Sequence, residues 1–381
     1  MGNGRFVITG IELYTPWQRI RPATLEVEGE RIRRVTEGID RRGEDLAGAI
    51  VAPGLVDLHI HGYGGIDVGS GDPDRLLSLA EMLARHGIVA FVPTVGAAPH
   101  EVLLRVSRAV AEAMAAQGGC PRGARILGLH LEGPYISPKK AGAQNPDFIR
   151  DPNWEEFRAY WDASRGNIRA VTVAPELPGA MEFITKATKL GVTVSIGHTD
   201  ATYEETWAAI AAGARRATHL FNAMPPLHHR APGAAAACLL APRVTVELIA
   251  DRVHVAGPML RLAWRLAGTE RTALVSDAIA AGGLAEGRYR FGGLEVEVRG
   301  NVARRDGGAL AGSTVTLERA VRNAVSMGIP LRDALAMASA VPARAEGLPP
   351  GTLEPGRRAD FLVLDRDLVL QRVYIAGVRI V

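Results

Sequence analysis

The chain is short of cysteine, with two in 381 residues, Cys120 and Cys238. They lie far apart and in no C-x-x-C spacing, which excludes a disulfide framework and a thiolate metal site. Any metal would have to use histidine and carboxylate. Lysine is nearly absent, occurring only at 139, 140, 186 and 189, so the basic side is almost all arginine. Those arginines are scattered, with no dense basic stripe and no interleaved aromatics, and the net charge is only +3. Nucleic-acid binding is therefore not expected, although a single arginine could hold a small anion. No apolar run is long enough to span a bilayer, and the segment after Met1 lacks a basic region followed by an apolar stretch. No membrane partner and a cytoplasmic location are the expectations. With 47% hydrophobic and 22% charged residues, the composition suits a globular protein with a large core.

Short β-like segments occupy residues 1–52 and return in 351–381, as in Ala359-Asp-Phe-Leu-Val-Leu-Asp365. Such ends around a different middle suggest a small β-sandwich assembled from both termini. In residues 53–350, apolar runs alternate with stretches rich in Ala, Leu, Glu and Arg, the pattern of βα units around a parallel sheet. Eight strands are expected at Val56–His61, Ile88–Val95, Ile126–Glu132, Ile168–Ala174, Thr193–His198, Ala217–Asn222, Val244–Ile249 and Thr272–Asp277. Eight units in that length point to a (β/α)8 TIM barrel rather than an open doubly wound sheet. Alternating apolar residues at 287–302 read as a hairpin insertion after the eighth strand.

Chemistry in such a barrel sits where strands run into their following loops. His59 and His61, in Pro53-Gly-Leu-Val-Asp-Leu-His-Ile-His-Gly62, share one side of an extended strand because side-chain direction repeats every two residues. Alone the pair is as compatible with a hydrogen-bonded role as with a ligand role. Glu132, His198, His219 and Asp277 fall at the ends of strands 3, 5, 6 and 8. Any one of them would usually be structural, but jointly they form a His/carboxylate set suited to Zn²⁺ or Fe²⁺. His86 and His100 read as helix-end residues, His130 as a group hydrogen-bonding behind the site, and His228 and His229 as solvated loop residues.

These motifs resemble those of the N-acetylglucosamine-6-phosphate deacetylases of the amidohydrolase superfamily. The matching stretches are the His59/His61 run, Leu129-His-Leu-Glu-Gly-Pro-Tyr135, Gly197-His-Thr199, Thr218-His-Leu-Phe-Asn-Ala-Met224, Ile249-Ala-Asp-Arg-Val-His254, Val275-Ser-Asp-Ala278 and Leu310-Ala-Gly-Ser313. The resemblance implies that Glu132, His198 and His219 hold the principal metal and that Asp277 is the catalytic carboxylate. Some family members lack the His-x-His pair and keep one metal. Retention of His59 and His61 here implies a second, weaker position shared through Glu132, and Asp277 is counted among the metal-site residues. One or two divalent ions per chain are expected, Zn²⁺ or Fe²⁺ first, with Co²⁺ or Mn²⁺ also compatible.

The implied reaction removes acetate from N-acetyl-D-glucosamine 6-phosphate, a step of amino-sugar catabolism and cell-wall recycling. A divalent metal lowers the pKa of water toward roughly 7, and Asp277 would take a proton from that water and deliver it to the leaving nitrogen. The resemblance further implies substrate contacts from Ala143, Gln144, Asn222, Ala223, Arg230, His254, Leu310, Ala311 and Gly312. It also implies a homodimer whose subunits share the phosphate site. Gln144 departs from the family, many of whose members carry a histidine there. Gln can donate a hydrogen bond but carries no charge, which bears on rate and sugar preference. A relative with a carbamylated lysine at the end of strand 4 is disfavoured, since Val171-Thr-Val-Ala-Pro-Glu176 has none. An N-acetylgalactosamine-6-phosphate deacetylase and a non-catalytic sugar-phosphate sensor are the remaining readings. The retained Asp277 speaks against the sensor.

Overall fold

The computed structural model describes residues 4–118, 123–349 and 351–381. Cys120 and the first three residues lie outside them.

The eight barrel strands are Leu55–Ile60, Ile88–Gly96, Leu129–Glu132, Ile168–Val173, Thr193–Ile196, Arg216–Ala217, Thr245–Ile249 and Thr272–Val275, each paired in parallel with the next. The ring closes between strand 8 and strand 1. There the Asp277 amide donates to the His59 carbonyl at 2.8 Å and the His61 amide donates to the Ala278 carbonyl at 2.8 Å. Helices Pro73–Arg85, His100–Gln117, Trp154–Ala163, Ala180–Lys189, Tyr203–Ala212, Gly233–Leu240, Gly257–Ala267 and Leu317–Ser326 surround it. Pro73–Arg85 shows the logic: Asp72 caps its first amides, and Leu76, Leu79, Ala80, Leu83 and Ala84 form one buried stripe.

Four barrel strands differ from expectation by two residues or more, the fifth and eighth by ending early, at Ile196 and Val275. The third is split, with Arg125–Ile126 pairing on strand 2 and the main segment starting at Leu129, because Gly128 breaks the run at φ +136°. The sixth is only Arg216–Ala217, so His219 lies beyond the strand rather than in it. The insertion is larger than a hairpin. Gly287–Phe291, Leu294–Arg299 and Val302–Arg305 form a three-stranded antiparallel sheet.

Segments from both termini build one eight-stranded sheet, in which Phe361–Leu364 pairs antiparallel with Ile50–Pro53 and the latter pairs parallel with Arg5–Tyr14. The Ile32 amide donates to the Arg357 carbonyl, and the Gly356 and Ala359 amides donate to the Ile32 and Glu30 carbonyls, bringing its two halves together. The halves face each other across a core that includes Ile11, Leu25, Val51 and Phe361. The barrel has its own, much larger core. Among the described residues no helix is long and apolar enough to cross a membrane.

Candidate functional site

The six His and carboxylate residues read from the sequence converge at the carboxyl ends of the barrel strands. His59 is the penultimate residue of strand 1, and Glu132 ends strand 3. His198, His219 and Asp277 each lie two residues past their strands. All three adopt left-handed backbone, with φ of +46°, +28° and +47°. That conformation costs a non-glycine residue about 1–3 kcal/mol. Here it turns the chain sharply enough to aim three side chains over the barrel mouth.

Two groups form, Glu132/His198/His219 and His59/His61/Asp277, each with ligand-type atoms within 4.8 Å of one another. Glu132 lies between them. Its Oε1 is 2.8 Å from His219 Nε2 and 3.2 Å from His198 Nε2, while its Oε2 is 3.1 Å from His61 Nε2. Asp277 Oδ1 stands 3.4 Å from Nε2 of both His59 and His61.

The outer nitrogens decide what this arrangement can hold. His59 Nδ1 donates to Glu247 Oε2 at 3.1 Å, and His198 Nδ1 donates to the Lys140 carbonyl at 2.8 Å. A neutral imidazole that donates through Nδ1 presents a lone pair at Nε2. Those lone pairs face carboxylate oxygens, and His198 Nε2 lies 3.1 Å from His219 Nε2. Acceptors opposed at such distances repel unless positive charge lies among them. The charge preferences of the side chains point the same way. Burial pushes His61 down, but hydrogen bonds to Asp277 and Glu132 push it up to about 9. Burial raises the Glu132 carboxyl, yet the surrounding imidazoles hold it well below the usual carboxylate range. A divalent cation fits both groups.

Glu247, which the sequence reading passed over, is fully buried and its Oε2 also accepts the His219 amide at 3.2 Å. One oxygen thus braces a residue from each group. Behind it lies Arg216, with Nε 3.8 Å from Glu247 Oε1 and an ion pair to Glu346. The available signal was a charged residue inside an apolar strand, Thr-Val-Glu-Leu-Ile for Glu247. His130 donates or accepts at Thr172 and Thr94 rather than at the site, and its ring packs edge-on against His59 at 4.9 Å.

A cleft of about 200 Å³ opens over the centre. Ala143, Gln144, Asn222, Ala223, His254, Leu310 and Gly312 all line it. Two expected contacts do not. Ala311 is fully buried in the small core of the insertion, with Ile279 and Phe291, because its neighbours on the chain turn their own surfaces to the cleft. Arg230 is exposed, with Nη1 2.9 Å from His229 Nε2, outside its own chain's cleft. His254 is held by Asp251 Oδ2 at 2.6 Å. Burial lowers its pKa, but that bond and the Asp251 charge win and raise it above its ordinary value. Gln144 donates to Glu132 Oε2 at 2.7 Å and accepts the Ala97 amide. Arg305 of the insertion fastens the same loop through the Gly142 and Gln144 carbonyls.

A (β/α)8 barrel with a buried His/carboxylate cluster at its strand ends defines a class of metal-dependent hydrolases. The chain belongs to the amidohydrolase family, which it matches over residues 50–380. Among curated relatives, N-acetylgalactosamine-6-phosphate deacetylase of Escherichia coli O157:H7 is 39% identical over 331 residues, covering 86% of this chain and 87% of the relative. N-acetylglucosamine-6-phosphate deacetylase of Homo sapiens is 40% identical over 361 residues, covering 91% and 86%. The structure of N-acetyl-D-glucosamine-6-phosphate deacetylase from Mycobacterium smegmatis, in a mutant complex with N-acetyl-D-glucosamine-6-phosphate, superposes with a TM-score of 0.94. That similarity comes at 40% identity and covers 99% of this chain and 100% of that one.

Proposed function

We propose that the protein hydrolyses the acetamide of N-acetyl-D-glucosamine 6-phosphate, giving glucosamine 6-phosphate and acetate. One observation carries this reading. His61, Glu132, His198, His219 and Asp277 line the same cleft as Asn222, Ala223 and His254, whose imidazole Asp251 biases toward its charged form. Hydrolytic groups and an anion-binding end therefore share one small space.

Glu132, His198 and His219 would hold one divalent ion, and His59, His61 and Asp277 a second, weaker one. Such an ion, when bound, lowers the pKa of a water and polarises the acyl carbonyl. Asp277 takes the proton of the attacking water on its carboxylate and returns it to the sugar nitrogen, which departs as an amine. Gln144, fixed by Glu132 and the Ala97 amide, lines the acyl side of the cleft. His254, biased by Asp251 toward its charged form, meets the phosphate, with the backbone at Asn222 and Ala223 beside it. Arg230, outside its own cleft, would serve the phosphate of a second copy in a homodimer. Leu310 and Gly312 lie against the sugar. The chain divides into a hydrolase barrel at 53–350 and a β unit from 1–52 and 351–381, in a cytoplasmic enzyme.

A preference for the galactosamine epimer is the second reading, favoured by the 39% identity to the Escherichia coli relative of that name. An acetate-release assay across N-acetylglucosamine 6-phosphate, N-acetylgalactosamine 6-phosphate and the unphosphorylated sugars tests both. The expected order has the glucosamine phosphate first and the unphosphorylated sugars far behind. Faster turnover of the galactosamine phosphate would establish the second reading, and no acetate from any of them would end both.

A further inference from the structure

A second cavity, of about 360 Å³, adjoins the reaction cleft and shares His61, Gln144 and Phe291 with it as walls. Its remaining lining includes Val95, Gly96, Ala98, Val102 and Phe148, together with the charged Asp67 and Arg105. It lies across Gln144 from the cleft that receives the sugar and phosphate. The wall itself is built for this place. Gln144 is pinned by Glu132 and the Ala97 amide, and a Cβ on Gly96 would come within 2.6 Å of Gln144 Oε1. Phe291 rests edge-on against His61 at 4.9 Å.

The geometry of an amide gives the cavity a meaning. The acyl carbon carries the sugar nitrogen on one side and the alkyl group on the other. With the sugar directed toward Asn222 and His254, the alkyl group is directed toward His61, Gln144 and Phe291, and a longer one continues into the second cavity. We propose that this cavity is an acyl pocket, and that the protein removes N-acyl groups longer than acetyl, such as propionyl and butyryl, from amino-sugar phosphates. The inference rests on the hydrolytic reading above. The balance is that of any amide hydrolysis: water adds its oxygen to the acyl carbon, the C–N bond breaks, and the products are the carboxylate and the ammonium sugar.

Each buried methylene contributes about fourfold in affinity, whereas a pocket without room discriminates by about 10–200-fold per methylene. The test measures kcat/KM for acid release from N-acetyl-, N-propionyl- and N-butyrylglucosamine 6-phosphate. The wild-type protein should handle all three within about tenfold. Ala98→Phe, and independently Val102→Phe, fill part of the cavity. Each should lower butyryl turnover by at least about tenfold while acetyl turnover stays within about twofold. Rapid acetate release with butyryl turnover lower by about 1000-fold or more in the wild type, or equal losses on all three substrates in both folded variants, overturns the acyl pocket alone. Failure to release acid from any of the three overturns the hydrolytic reading itself.

Discussion

Replacing Glu247 with glutamine probes how the barrel interior prepares its candidate metal ligands. In the native chain the Glu247 Oε2 atom takes the His59 Nδ1–H at 3.1 Å and the His219 N–H at 3.2 Å, so His59 is fixed with its Nε2 lone pair toward Asp277 and Glu132. A glutamine keeps the shape but loses the charge, and its two ends compete for the same places. If its carbonyl meets His59, the tautomer survives with a weaker orienting bond. If its amide does, the tautomer inverts and an Nε2–H occupies the ligand position. Loss of such an outer partner typically costs about 10–100-fold in metal affinity, equivalent to about 1.4–2.7 kcal/mol. The effect should fall mainly on the His59/His61/Asp277 group, since the other group meets Glu247 only through the His219 backbone. The assay is metal content by mass spectrometry after equilibration across buffered free Zn²⁺. The expected outcome is one ion retained near the native midpoint, with the other shifted at least tenfold. Two ions at native midpoints in a folded Glu247→Gln protein would refute the bracing role.

Asp277→Asn should keep the ion held by Glu132, His198 and His219 while lowering kcat by about 10²–10⁴-fold. Steady-state kinetics paired with metal content checks this, and full activity would remove Asp277 as the proton carrier. Asp251→Asn tests the phosphate end through pH. Because the His254 pKa is raised above its ordinary 6.5, its contribution to stability is fully present below that value and is lost as pH rises through the folded pKa. Asp251 is shifted the opposite way: burial raises it, but His254 holds it low, so its share is present above its ordinary 3.8 and is lost on acidification. KM for the phosphorylated substrate should therefore rise on the alkaline side of the His254 pKa, and Asp251→Asn should move that rise to lower pH. An unchanged profile would detach the pair from phosphate binding. Arg216→Met leaves Glu247 and Glu346 buried without their cation, and denaturant unfolding should register a loss of about 3–5 kcal/mol. A loss below about 1 kcal/mol would mean the pair contributes no more than a surface one.

The barrel was legible because its signals are local. Apolar runs of strand length alternate with amphipathic segments such as the Asp72-capped helix, and each period is set by backbone geometry alone. The ligand-type residues were legible for a related reason, since strand ends are where a barrel exposes chemistry, and His59, Glu132, His198, His219 and Asp277 all fall there. Strands 5, 6 and 8 end earlier than expected because the turns that aim His198, His219 and Asp277 use left-handed residues, which an apolar pattern does not announce. Glu247 and Arg216 escaped notice because nothing along the chain says which buried charge faces which ligand.

The sequence by itself therefore determined the architecture, the His and carboxylate set and the want of thiolates, all of which depend on residue type and spacing. Only the tertiary structure decided the rest, because it depends on distances between segments far apart in the chain. It drew the six residues into two groups around Glu132 and set Glu247 behind His59. It also sent Ala311 into the insertion core, left Arg230 outside its own cleft, and placed a second cavity beside Gln144.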